Sequence, residues 1–262
     1  MKTRWIGTSW KMNKTSDEVA AFCQQILPAL QGCPEWIQSF LIPPFPYVQQ
    51  VGEALDSVDT LTGVQNICWA EQGAYTGEVS AKMAKDIGAS LVEIGHSERR
   101  ELFNESDHTV NLKVHAALEQ GLMPLICVGD SLEEKRWGVS LESIVRQVKI
   151  ALHGVSPEQL ARVWIAYEPV WAIGEQGIPA SAEEAESGLA AIRAGVRQCF
   201  GEACAEHTVL LYGGSVNPDN AAELLQQPNI DGLFIGRSAW QAEGYAQLLQ
   251  IAASVDNEVA CV

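Results

Sequence analysis

Ala166-Tyr167-Glu168-Pro169-Val170-Trp171-Ala172-Ile173-Gly174 is the stretch whose reading decides the fold. It continues an apolar run, Val163-Trp164-Ile165-Ala166, with the length and character of a strand buried on both faces, as in parallel sheets. Glu168 falls where that strand surfaces, and Pro169 fixes the next backbone angle, so the carboxylate leaves in a set direction. Beyond it, Gly174, Gly177 and Pro179 enclose a short segment able to fold over as a lid. A carboxylate at the C-terminal end of a strand, beside a loop that can exclude water, is placed to act as a general base. The plain alternative is an acidic residue opening a surface turn, and the rest of the chain decides between the two.

Seven further apolar runs recur, each followed by a helix-like stretch. They are Trp5 to Trp10, Phe40-Leu41-Ile42, Leu61 to Val64, Leu91 to Ile94, Pro124 to Val128, Val209 to Tyr212 and Leu233-Phe234-Ile235. Helix starts are marked by Thr15 with Glu18, Ser131 with Glu134, and Ser181 with Glu184, each a capping-box pair. A helix is expected around Tyr47 to Leu55 and a last one from about Glu243 to Ser254, with a frayed tail over Asp256 to Val262. Eight strand–helix units in 262 residues predict an α/β fold, a closed (β/α)8 barrel forming one domain over residues 1–262. A doubly wound open sheet is the alternative, but no GxGxxG follows the first run.

Composition narrows the function. An apolar content of 47% with 19% charged residues is that of a folded chain. A net charge of −16 argues against nucleic acid or an anionic membrane surface as a partner. An anionic substrate then needs local help from lysine, arginine or backbone N–H groups. The seven cysteines show no CxxC spacing and fit reduced thiols better than a disulfide framework or a zinc site. The N-terminal residues lack a signal-peptide core and no run approaches transmembrane length, so a cytoplasmic location is expected.

Placed on the barrel, the unusual residues gather at one end. Lys11 follows the first strand, His96 the fourth and Glu168 the sixth, and glycines follow the sixth, seventh and eighth. In such barrels the C-terminal face carries the active site, and phosphate binds near strands seven and eight. Backbone N–H groups of Gly213-Gly214-Ser215 and Gly236-Arg237 can hold phosphate oxygens without side-chain obstruction.

Five segments, Trp10-Lys11-Met12-Asn13, Gly73 to Glu78, Gly95-His96-Ser97-Glu98-Arg99-Arg100, Tyr167 to Gly174 and Tyr212-Gly213-Gly214-Ser215, resemble the motifs of triosephosphate isomerase, in that family's order. The resemblance implies a TIM barrel and a phosphosugar isomerase working through an enediolate. Glu168 would move a proton between adjacent carbons, His96 would be a neutral electrophile, and Lys11 would stabilise the enediolate and the phosphate. These roles come from the resemblance, for which triosephosphate isomerase is itself the standard illustration. Gly174, Ser215 and Gly236 would donate to phosphate, and Glu98 would sit behind Lys11 and His96. Thr76 would dock into a second copy, giving a homodimer. No cofactor and no metal site are implied. Cys127 reads as core packing, and His108, His115, His153 and His207 as surface or helix residues.

Three departures from the family pattern line the expected pocket. Ser9 stands where the family has asparagine, Glu175 to Ala180 makes the lid one residue longer, and Arg237-Ser238-Ala239-Trp240 follows Gly236. Ser9 is smaller than asparagine by about two heavy atoms, comparable to a hydroxymethyl group, and pocket shape selects among homologous substrates. The start around Ser9 and the Gly236-Arg237-Ser238-Ala239-Trp240 segment resemble the branch of the family that converts L-erythrulose 1-phosphate to D-erythrulose 4-phosphate. That branch is the expectation for substrate. A triose phosphate remains the alternative, and a non-catalytic phosphosugar-binding barrel is the reading from another class.

Overall fold

The apolar runs become eight parallel strands that close on themselves: β1 (Arg4–Ser9), β2 (Ile37–Ile42), β3 (Thr60–Val64), β4 (Leu91–Ile94), β5 (Met123–Val128), β6 (Trp164–Tyr167), β7 (Val209–Tyr212) and β8 (Gly232–Ile235). In the computed structural model, which describes residues 2–174 and 177–255, neighbours pair in sequence order. β8 closes against β1 with Trp5 opposite Gly232 and Thr8 opposite Ile235. Closure removes the free edges that an open doubly wound sheet would leave, so that alternative is excluded. The expected frayed tail over 256–262 and residues 175 and 176 of the lid lie outside the described residues.

Alternation along the strands sorts side chains into two cores. Phe40, Ile42, Leu91, Leu125, Cys127, Trp164, Ala166, Leu211 and Phe234 fill the barrel interior, while Ile6, Leu41, Val92, Ile94 and Leu210 face the helices. Near the N-terminal end of the barrel, Trp164 packs tilted against Trp5 at 4.3 Å and meets Phe40 at 5.5 Å, and Phe40 lies 5.8 Å from Phe234. Gly7 permits this plug, because a Cβ there would run into the Phe40 ring. Truncating Phe40 to alanine would cost about 3–5 kcal/mol.

The capping pairs act as their sequence predicts. Glu18 accepts the Thr15 N–H at 2.7 Å before the helix Ser16–Gln31. Ser131 and Glu134 exchange bonds of 2.7 and 3.2 Å before Leu132–Trp137, and Ser181 and Glu184 do so at 3.0 and 3.2 Å before Ala182–Phe200. Strand ends shift by at most one residue from the apolar runs, except at the start of β2, which shifts by three. β2 extends back to Ile37, because Ser39, on the helix-facing side with Ile37 and Leu41, is satisfied by Thr60 Oγ1 at 2.6 Å. β6 begins at Trp164 and ends at Tyr167, so Glu168 is the first residue beyond it.

Candidate active site

Glu168 is fixed through its backbone on both sides. Its N–H donates to Val128 O at 2.8 Å, and Gly213 N–H donates to Tyr167 O at 2.8 Å. The turn after it is anchored on buried Asp130, whose carboxylate accepts from Tyr167 Oη at 2.9 Å, Trp171 Nε1 at 3.0 Å and Ser140 Oγ at 2.6 Å. Asp130 carries no motif of its own, and its role was missed from sequence. Gly213 leaves room for the Glu168 side chain, since a Cβ there would stand 2.7 Å from Glu168 Cγ. The carboxyl is only 3% exposed, and Oε2 has no hydrogen-bond partner among the described residues. Burial, with Glu93 nearby, pushes its pKa up to about 8. A carboxyl so held can take and return a proton near neutral pH.

His96 caps the helix Ser97–Leu102, and its Nδ1 accepts the Glu98 N–H at 3.1 Å. Accepting at Nδ1 leaves the proton of a neutral ring on Nε2. Burial, and after it the Lys11 ammonium, lowers the His96 pKa to about 4, so the ring is neutral through the physiological range. Nε2 lies 3.6 Å from Glu168 Oε2 and 3.9 Å from Glu93 Oε1. Lys11 donates to Glu98 Oε1 at 2.6 Å. Glu98 therefore touches both Lys11 and His96, but it flanks them at the mouth, 45% exposed, instead of lying buried behind them. Lys11 adopts a left-handed φ of 52°, a strained conformation for a residue with a side chain, and Gln65 Nε2 holds its carbonyl at 2.8 Å.

Glu93 is the site residue that sequence reasoning missed. It sits on the inward face of β4, two residues beyond Leu91, and is 3% exposed. Ser9 Oγ donates to its Oε2 at 2.8 Å. Ser9 is thus more than the smaller residue expected from sequence: its hydroxyl is the partner of a buried acid. Burial raises the Glu93 pKa to about 7. The signal was present, as an acid inside a four-residue apolar run costs free energy unless it is used or satisfied.

The opposite half of the mouth is built of backbone. Gly174, Gly213, Gly214, Ser215, Gly236 and Arg237 line one cavity of about 270 Å³ together with Ser9, Lys11, His96 and Glu168. Every sequence-predicted site residue except Glu98 faces this space. Asn220 Nδ2 holds Ser215 O at 2.9 Å, and Ser238 Oγ holds Val216 O at 2.8 Å. Trp240 Nε1 donates to Ser9 O at 3.0 Å, tying the departure after β8 to the departure in β1. Unhindered N–H groups on this side suit a phosphate.

Cys127 packs against the Glu168 carboxyl inside the barrel, and its thiol is pushed well above its usual pKa by burial and by Glu168. His108, His153 and His207 are exposed and His115 is half-buried on the helix Asp107–Glu119. Among the described residues no three His, Cys, Asp or Glu side chains are grouped to hold a metal ion. None of the described helices is long and apolar enough to cross a membrane. The 65–79 loop folds back on itself, with Cys68 N–H donating to Val79 O at 2.8 Å, and leaves Thr76 exposed.

Comparison with known proteins bears on this geometry. The sequence model of the family described as Triosephosphate isomerase matches residues 4–252. The L-erythrulose-1-phosphate isomerase of Mesorhizobium japonicum is 51% identical over 246 residues, covering 94% of this chain and 95% of that protein. The protein of the same name from Mycolicibacterium smegmatis is 49% identical over 256 residues, covering 95% and 93%. Among solved structures, the triosephosphate isomerase of Bartonella henselae matches with a TM-score of 0.84 at 34% identity, over 95% of this chain and 98% of that one.

Proposed function

The chain belongs to the triosephosphate isomerase family and is an isomerase of that family, and from that premise we propose that its substrate is L-erythrulose 1-phosphate, with Glu168, His96 and Lys11 as the catalytic residues. The observation that carries the chemistry is that the buried Glu168 carboxyl and the Nε2 of a neutral His96, 3.6 Å apart, face one cavity with the glycine cradle. The substrate's phosphate is held by N–H groups of Gly174, Ser215 and Gly236, beside Arg237. The Glu168 carboxylate takes the proton from the hydroxyl-bearing carbon next to the carbonyl. The released C–H pair forms a carbon–carbon double bond, and the carbonyl π pair moves onto its oxygen. His96 Nε2–H donates to that oxygen and recovers a proton from the neighbouring hydroxyl, and Lys11 offsets the negative charge of the enediolate. Glu168 then returns its proton to the former carbonyl carbon. One carbon is oxidised as its neighbour is reduced, so atoms and electrons balance within the substrate.

Both named relatives support the tetrulose substrate over a triose, and so does Ser9, which gives up bulk at the pocket wall. Assaying L-erythrulose 1-phosphate and dihydroxyacetone phosphate side by side tests the assignment. The expected outcome is a kcat/KM at least tenfold higher for the tetrulose. A preference for the triose overturns the substrate, and binding without turnover of either makes the barrel non-catalytic.

The assembly belongs to the same reading. Met12 is 93% exposed and Phe103 65%, and Leu102, Trp69 and Tyr75 are exposed as well, an apolar set suited to burial against a second copy. The chain is taken to form a homodimer through the loop around Thr76, so Thr76→Arg should shift light scattering from dimer to monomer. The described cysteines are all free thiols, which suits a reducing, cytoplasmic setting.

A further inference from the structure

Glu93 lacks what usually accounts for a buried carboxyl. Among the described residues no lysine or arginine pairs with it directly, and the Lys11 ammonium is bonded to Glu98 at 2.6 Å. Its single hydrogen bond from a described residue is the one Ser9 Oγ donates to Oε2. Among the described residues Oε1 accepts none, and His96 Nε2 lies 3.9 Å from it. A position serving only to fill the barrel would hold an apolar side chain, as Leu91 does two residues earlier on the same face. The carboxyl therefore presents one oxygen held in place and one open acceptor, next to the reacting pair.

The space beside Glu93 adjoins the substrate cavity. A second cavity, of about 430 Å³, is lined by Glu93, Gln65, Asn66 and Glu98 and shares Ser9, Lys11 and His96 with the first. In the ring of eight strands β4 stands opposite β8. A sugar whose phosphate is seated beyond β7 and β8, with its reacting carbons between Glu168 and His96, must send its other end toward β1 and β4. There it meets Ser9, and behind Ser9 the open oxygen of Glu93.

We propose that Glu93, oriented by Ser9, is a specificity-determining residue that accepts a hydrogen bond from the terminal hydroxymethyl of a four-carbon ketose phosphate. This rests on the tetrulose reading above and deepens it. A triose phosphate ends one carbon short and leaves Oε1 unfilled, whereas the longer sugar supplies the missing donor. Discrimination of this kind exceeds what shape alone gives, because a hydroxyl deprived of its partner remains buried and unpaired.

The test crosses a change in the protein with a change in the sugar. L-Erythrulose 1-phosphate, its analogue lacking the terminal hydroxyl, and dihydroxyacetone phosphate are compared on the wild type, Glu93→Leu and Glu93→Gln. The wild type should favour the hydroxylated tetrulose over the deoxy analogue by roughly ten- to a hundredfold in kcat/KM. In Glu93→Leu that ratio should collapse to within about threefold, through a larger KM for the hydroxylated sugar. Glu93→Gln, which keeps the shape, should retain part of the preference and controls for folding. A ratio that survives in Glu93→Leu, or a parallel fall on all three sugars, overturns the role of Glu93 while leaving the tetrulose reading intact. A wild type that turns over the triose but not the tetrulose removes both.

Discussion

The two halves of the barrel mouth are made of different material. Beyond β6, β7 and β8 the wall is rich in glycine, with Gly174, Gly213, Gly214 and Gly236 exposing their backbone. Beyond β1 and β4 it is side chains: Lys11, His96, Ser9 and Glu93, three of them buried. A backbone wall suits a phosphate, which the proposed triose and tetrulose substrates both carry, and is indifferent to the rest of the sugar. A wall of side chains can be changed one residue at a time. On the proposed assignment, the groups that hold the phosphate and the groups that choose among substrates lie on opposite sides of the mouth, with Glu168 between them.

Changes at Glu168 should cut across that division and have the largest effect. Glu168→Gln is expected to lower kcat by at least about 10³-fold on triose and tetrulose phosphates alike, and Glu168→Asp by about 10²-fold through retraction of the carboxyl. Steady-state assays on both sugars check this, and a loss on one sugar only would place Glu168 in the selective half.

The same residue ties the site to stability. Burial holds Glu168 near pKa 8 against an ordinary 4.5. Below pH 4.5 the folded and unfolded chains both carry this proton. Between 4.5 and 8 the folded chain keeps a proton that the unfolded chain has released. The stabilisation from this group is therefore full at low pH and is lost as pH rises through about 8. Urea titrations at pH 5 and pH 9 should show Glu168→Gln gaining on the wild type by on the order of 4 kcal/mol at the higher pH, less whatever Glu93 shares. A difference that does not change with pH would mean the carboxyl is not held in an apolar setting.

Two smaller changes separate the halves. Gly213→Ala places a methyl against the Glu168 side chain and should cost about 10²-fold on both sugars, because base position is disturbed and selection is not. Ser9→Asn crowds the other half and removes the donor that orients Glu93. It should lower kcat/KM for the tetrulose by roughly 1–3 kcal/mol in transition-state terms, with a smaller loss or a gain on the triose. A ratio of the two activities unchanged in Ser9→Asn would remove Ser9 from substrate choice.

The backbone half was the more legible in the sequence, and for a physical reason. Glycines after apolar runs mark places where a side chain would obstruct, so Gly213-Gly214 and Gly236 announce themselves without a structure. Lys11, His96 and Glu168 were legible because each follows the end of a strand, where a polar residue breaks an apolar run. Glu93 lies inside such a run, Leu91-Val92-Glu93-Ile94, and its inward direction is set by strand register, which local sequence does not reveal. Asp130 lies just past an apolar run with no motif around it, and its three donors come from β6, the turn beyond it and the helix that begins at Ser140, partners that only the fold brings together. The fold itself was legible from the eight-fold recurrence of strand and helix, with boundaries off by one residue, and by three at the start of β2, where polar Ser39 is satisfied by Thr60.

The central claim is that Glu168 moves a proton between adjacent carbons of a phosphosugar seated across these two halves. It is tested most directly by incubating the protein with L-erythrulose 1-phosphate in deuterated water and following the product by NMR. Deuterium should appear on the carbon that was the carbonyl in the substrate, at a rate that Glu168→Gln lowers by at least about 10³-fold. Isomerisation with complete retention of the substrate hydrogen at every time point, or deuterium uptake undiminished in Glu168→Gln, would contradict it.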